Sequence, residues 1–229
     1  MTGQDLKRAR LERNWTQQDA ARHLGVSQGY LSLLEKGRRA VSGKLVHRLL
    51  REYEVPPTAL PLLAPGSWAL GTNVETWARC LGALGYPGFS YLRARPDRNP
   101  ANLLLNGLMQ PDLDSRVAAG LPWLAFNYTD MNWDWLVRNA KLHDLQNRLG
   151  FAVTLARQVA EKTNASVKVS LLVKPESLLE RSRLVREDTF CHNSLTETEK
   201  RWLHEKRPPE AQRWNLLTDL TAEQLAHAL

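Results

Sequence analysis

Apolar residues recur at intervals of three and four near the start of the chain. In TQQDAARHL, residues 16–24, a helix places Ala20, Ala21 and Leu24 on one face. Thr16 stands at the N-cap, with Asp19 three positions on, much as in a capping box. Gly25 follows, the residue that most easily takes the left-handed conformation that ends a helix. Ser27 then caps a second helix whose Leu31 and Leu34, spaced i and i+3, turn inward with Val26. A connection of about three residues makes the two helices cross at a large angle.

The pattern beyond residue 63 is mixed. Pro56, Pro57, Pro61 and Pro65 cannot continue a helix, which places a junction at residues 62–71. Residues 90–100 (SYLRARPDRNP) read as a charged loop offering Arg93, Arg95 and Arg98. Short helices are predicted at 101–110 and 112–121, and one long helix from Asn132 to about Glu161. SVKVSLLV, residues 166–173, alternates in part and is the only convincing strand. Residues 176–229 read as polar and helical, broken at Pro208-Pro209.

Charge sharpens the reading of the first 60 residues. They carry 11 Lys/Arg against 6 Asp/Glu, or +5, while the other 169 carry 20 against 18, or +2. A basic excess there suits a polyanionic partner. With Leu31 facing inward, the second helix turns Gly29, Ser32, Leu33 and Lys36 outward, flanked by Gln28 and Tyr30. A major groove of double-stranded DNA admits one helix, and residues at its N-terminal end then reach base edges. Gln28, Gly29, Ser32 and Leu33 are therefore the candidate base readers. Gln28 is suited to adenine, and Leu33 to a thymine methyl. Gln17 lies at a helix N-terminus, where phosphate is favoured. Together with Tyr30, Lys36, Arg38, Arg39 and Lys44 it makes up the candidate backbone-contacting set.

Arg10, Thr16, Gln17, Ala21, Leu24, Gly25, Val26, Ser27, Gln28, Tyr30, Leu31, Glu35, Gly37, Arg38 and Arg39 together give the spacing TQxxxAxxLGVSQxYLSxLEKGRR. By these residues the segment resembles the phage-repressor (Cro/repressor-like, or Xre) helix-turn-helix family over residues 3–63. The resemblance implies five short helices, DNA binding, and a structural ion pair between Arg10 and Glu35. There are two departures. Leu33 stands where the family often has a polar or basic residue, and Ala40 replaces a frequent Pro. The fold expected is mainly α. A five-helix DNA-binding domain at 1–63 and a linker at 64–71 lead to a larger, mostly helical domain at 72–229 with one or a few strands, for dimerisation or for binding a partner or effector.

That larger part resembles no family of evident function. Leu142, Leu145, Leu149, Ala152, Ala156 and Val159 recur at 3-4-3-4-3 spacing, with Trp135 one heptad earlier. Such a stripe is either a core face of its own domain or a dimer or partner surface. Trp123, Phe126, Tyr128, Trp133 and Trp135 cluster nearby and allow core packing, a partner groove or base stacking.

Composition removes other classes. Apolar residues make up 43% of the 229, enough for a real core, and no run of eighteen is apolar throughout, so no spanning helix is expected. MTGQDLKRAR carries no apolar stretch behind it, so no secretory signal is expected and the location predicted is cytoplasmic. Cys80 and Cys191 lie too far apart for a metal spacing and read as idle thiols. HExxH, GxSxG and phosphate-loop motifs are absent, while His143-Asp144, Cys191-His192 and His204-Glu205 stand isolated. The expectation is no enzyme, no cofactor and no metal. The leading reading is a dimeric, sequence-specific repressor. Two alternatives stay open: an antitoxin or defence-system regulator whose C-terminal part binds a toxin-like protein partner, and a ligand-sensing repressor.

Overall fold

A computed structural model describes residues 2–65, 73–92 and 94–227; the side chains of Lys44 and His227 are outside that description. The chain folds into two compact units, Met1–Leu62 with Arg95–Asn99, and Leu63–Ala94 with Pro100–Leu229. The expected linker at 64–71 lies mostly outside the described residues. The first unit is not one continuous stretch, because residues 95–99 return to it. The Asn99 side-chain amide, itself buried, donates to the backbone carbonyls of Thr58 at 2.9 Å and Leu60 at 2.7 Å.

The first unit contains α1 (Gly3–Glu12), α2 (Gln17–Leu24), α3 (Gln28–Glu35) and α4 (Gly43–Glu52). Leu6, Ala9, Ala20, Ala21, Leu24, Leu31, Leu34, Leu45, Leu49 and Tyr53 form its core, with Val26 and Tyr30 packed against it. Full burial of each leucine is worth roughly 1.5–3 kcal/mol, which is what holds helices of eight to ten residues that would not persist alone. The fifth helix implied by the resemblance is only a 3-10 turn, Pro57–Ala59. Pro56, Pro57 and Pro61 leave no run of backbone N–H groups from which a longer helix could be built.

The second unit contains α5 (Val74–Ala83), α6 (Pro100–Met109), α7 (Ser115–Asn127), α8 (Trp133–Leu142), α9 (Gln146–Lys162) and α10 (Ser166–Glu180). Next come β1 (Asp188–Thr189), α11 (Glu197–Lys206), α12 (Pro209–Arg213), β2 (Leu216–Leu217) and α13 (Ala222–His227). β1 and β2 pair in parallel, so the fold is mainly helical with one two-stranded ladder among the described residues. α9 is the central helix, packed by α7, α8, α10, α12 and α13.

Two expectations are corrected here, and one open reading is narrowed. The long helix at 132–161 is two helices, broken at His143–Leu145, where Asp144 takes a positive φ of 56°. Residues 166–173 are helical, not a strand. In α10, Leu172, Pro175, Glu176 and Leu179 share a buried face at spacings of three, one and three, and packing on α9 overrides the β-branched content. The stripe read as a possible dimer or partner surface is mostly core: Leu145, Leu149, Ala152, Ala156 and Val159 are buried within the chain. Leu142, at 71%, stays exposed, and Trp135 is half-buried. The aromatic cluster is mainly internal too. Trp123 meets Tyr86 and Tyr128 edge-on at centroid distances of 5.4 and 6.2 Å, and Phe126 carries the Lys168 ammonium over its ring at 3.8 Å.

Polar clips tie this unit together. Arg148, buried, forks onto Asp188 at 2.8 and 2.9 Å and donates to the carbonyls of Leu108 and Gln110. Glu176, also buried, accepts from Thr154, Arg157 and Arg213. The Trp214 indole N–H donates to the Thr154 hydroxyl at 2.8 Å. Burial pushes the Cys191 thiol up to about 12, which keeps it protonated.

Candidate nucleic-acid interface

Sequence-local bonds set the two helices that would face DNA. The Thr16 hydroxyl accepts from the Asp19 amide at 3.1 Å and the Asp19 carboxylate accepts from the Thr16 amide at 3.2 Å, so α2 opens on a complete capping box. The Thr16 hydroxyl also donates to the Asp19 carboxylate at 2.5 Å, and this bond with that from the Thr16 amide holds the Asp19 carboxyl below its ordinary value. Gly25 ends α2 at φ 61°, ψ 40°. A Cβ there would run into the Arg48 guanidinium, whose Nη1 donates to the Leu24 carbonyl at 2.5 Å. Ser27 opens α3 by accepting from the Tyr30 amide at 3.1 Å.

Leu31 and Leu34 hold α3 against the core. The opposite flank is open: Gln28 and Gly29 are exposed in the first turn, and Ser32 and Leu33 are half-buried one turn on. A Cβ on Gly29 would meet nothing within 4 Å, so the backbone there is bare to an approaching surface. Lys36, Arg38 and Arg39 follow, all exposed, and the Arg39 guanidinium lies 5.8 Å from the half-buried Tyr30 ring centroid. Gly37, at φ 67°, makes the turn that presents the two arginines. The side chain of Lys44 is outside the described residues.

The pair behind this surface has the expected partners and one more. Arg10 donates from Nε and Nη2 to the two Glu35 oxygens at 2.7 and 3.2 Å, and from Nη1 to the Trp15 carbonyl at 2.8 Å. Gln17 Nε2 also donates to Glu35, at 2.9 Å. The Gln17 side chain is thus engaged inward, and what remains for phosphate at its position is the backbone of the first turn of α2. Burial by itself would raise the Glu35 carboxyl, but the bonds from Arg10 and Gln17 outweigh it and hold the group below its ordinary value. The same pairing raises Arg10.

A family model described as helix-turn-helix matches residues 6–60. The segment is a Cro/C1-type helix-turn-helix. Neither a curated protein nor a solved structure matches the chain. The match supports a DNA-binding regulator. Two parts of the helix-turn-helix escaped the sequence reading. Arg48 closes the end of α2 from 24 residues away, and Trp15 stacks on His23 at 4.2 Å with planes 5° apart. Neither has a signature spacing; the Trp15 ring next to an otherwise polar stretch was the only sign.

Among the described residues no group of three His, Cys, Asp or Glu could hold a metal ion, and no helix is long and apolar enough to cross a membrane.

Proposed function

We propose that the protein is a sequence-specific transcriptional repressor that binds a near-palindromic operator as a homodimer. The open first turn of α3, with Gln28 and Gly29 exposed beside Ser32, carries this reading. One such helix spans one half-site, so two copies would read half-sites about 34 Å apart, or a multiple of that. Base edges are read by Gln28, Gly29, Ser32 and Leu33. The backbone is held by the amides around Gln17, by Tyr30 and by Lys36, Arg38 and Arg39, with Lys44 as a further candidate. Repression follows from occupying a promoter and needs no bond-making step.

A gel-shift series on the DNA upstream of the chain's own coding region tests this. Binding should prefer one sequence over scrambled duplex by at least about a thousandfold and should weaken steeply as salt rises. Binding indifferent to sequence, or unchanged by salt, would refute it.

A second reading is favoured by one observation on the second unit. Val167 and Leu171, one turn apart on α10, are 70% and 45% exposed. An open apolar pair on a helix whose other face, Leu172, Pro175, Glu176 and Leu179, is buried suits a protein partner, as in an antitoxin or defence-system regulator. Co-purification with the product of the adjacent gene, abolished by Val167→Asp with Leu171→Asp, is the result expected of that reading; co-purification untouched by the double change would exclude this face.

A further inference from the structure

A second basic site lies in the first unit, on α4 and the returning segment. His47, Arg48 and Arg51 on α4, with Arg95 from the returning segment, line a cavity of about 500 Å³. Leu50, Val55 and Pro57 give it an apolar floor, and Pro96 closes it beside Arg95. That size falls within the range of small-ligand sites, roughly 300–1,000 Å³.

The charges in it are poorly answered. No carboxylate of the described residues pairs with Arg48 or Arg95. Arg48 spends Nη1 on the Leu24 carbonyl. Arg51 gives Nε and Nη2 to a single oxygen of Glu52, at 2.9 and 2.6 Å. His47 Nδ1 is buried and has no hydrogen-bond partner. Three guanidiniums around one cavity, of which only Arg51 has a carboxylate partner, amount to a surplus of donors and positive charge. Guanidinium forks pair bidentately with the oxygens of carboxylates and phosphates, and three of them around one cavity suit an anion that offers several oxygens at once, such as a phosphate.

We infer that this cavity is an anion site for a phosphate group carried on a small ring-bearing molecule of mononucleotide size. The phosphate sits among Arg48, Arg51 and Arg95, and the ring lies on Leu50, Val55 and Pro57. Occupation would tie residues 95–96 to α4 and so make the helix-turn-helix unit responsive to a metabolite. The same chemistry could also be met by a phosphate of the DNA backbone.

The test uses the full chain, with adenosine 5′-monophosphate and pyrophosphate as probes and sodium sulfate at equal ionic strength as control. Thermal denaturation should show a rise of several degrees with either probe at saturation and little with sulfate. Arg95 is exposed and without an ion-pair partner among the described residues, so Arg95→Glu should leave the fold intact and weaken the probe by at least about tenfold. Arg51→Gln should weaken it by a smaller factor. A parallel gel shift separates the two phosphate sources. If neither probe acts, but Arg95→Glu weakens operator binding about tenfold and lowers its salt dependence by about one phosphate, the anion is the DNA backbone. A probe shift that persists undiminished in Arg95→Glu overturns the site, as does a variant indistinguishable from wild type in both assays. Failure of the α3 reading would show separately, as operator binding absent in wild type while the probe still stabilises the protein.

Discussion

Gln28 is exposed in the first turn of α3 and its helix is capped by Ser27, so its carboxamide is free to reach a base edge. Gln28→Ala should cost about 1–3 kcal/mol at one base position and relax choice there, whereas Arg39→Ala should weaken all sequences alike. Competition gel shifts over single-base variants of the operator check this; equal effects of both changes on every duplex would remove Gln28 from the readers. Glu35 gives a prediction in pH. Its folded value is depressed, so its contribution to stability is complete above the ordinary glutamate range and is lost as pH falls through the lower folded value. Acidification should therefore loosen the first unit in that window, read by hydrogen exchange in α1 and α3. Glu35→Gln should lack this acid step and be less stable at neutral pH by about 3–5 kcal/mol, because Arg10 is left buried and unpaired. Parallel acid curves for the two proteins would assign the step to another group. At this scale the sequence was most legible where partners are close along the chain: Thr16 with Asp19, Gly25, Ser27 with Tyr30. Arg10 with Glu35 was reached only through the family resemblance, and the inward turn of Gln17 onto Glu35 was not foreseen.

Among the elements, α9 shows what periodicity can and cannot reveal. The repeat of Leu145, Leu149, Ala152, Ala156 and Val159 marks an apolar face correctly, but only the surrounding helices decide whether a face is core or surface. Gly150 in the same helix looks like a defect in the pattern. The Trp214 ring occupies the space its missing side chain leaves, and a Cβ there would collide with that ring. Gly150→Ala should therefore destabilise the second unit by about 1–3 kcal/mol, although alanine gains about 1 kcal/mol in helix propensity. Urea denaturation followed by Trp fluorescence checks the sign; a stabilised variant would mean that Trp214 yields without cost. The misread of α10 has the same origin. Its Val167, Val169 and Val173 favour a strand locally, and the helix exists because Leu172 and Leu179 find α9. No local rule encodes that contact.

For the whole molecule, the boundary between the units was legible only in part. Prolines 56 to 65 marked the end of the first unit on one side, near Leu62, but nothing in RPDRN announced that residues 95–99 rejoin it. Asn99 is the anchor, satisfying two backbone carbonyls that follow α4. Asn99→Ala should destabilise the first unit by about 1–3 kcal/mol with the second unit unaffected, seen as faster amide exchange in α4 and residues 57–60. Uniform loosening of both units would contradict this. The return also has a consequence during synthesis. The stretch that carries α3 leaves the ribosome well before residue 99, so a nascent chain displays this helix on a scaffold whose last clasp has yet to be translated. Paused or truncated products ending between residues 63 and 94 would then be the ones most exposed to proteolysis, and a graft of this module into another protein would have to carry both stretches to be whole.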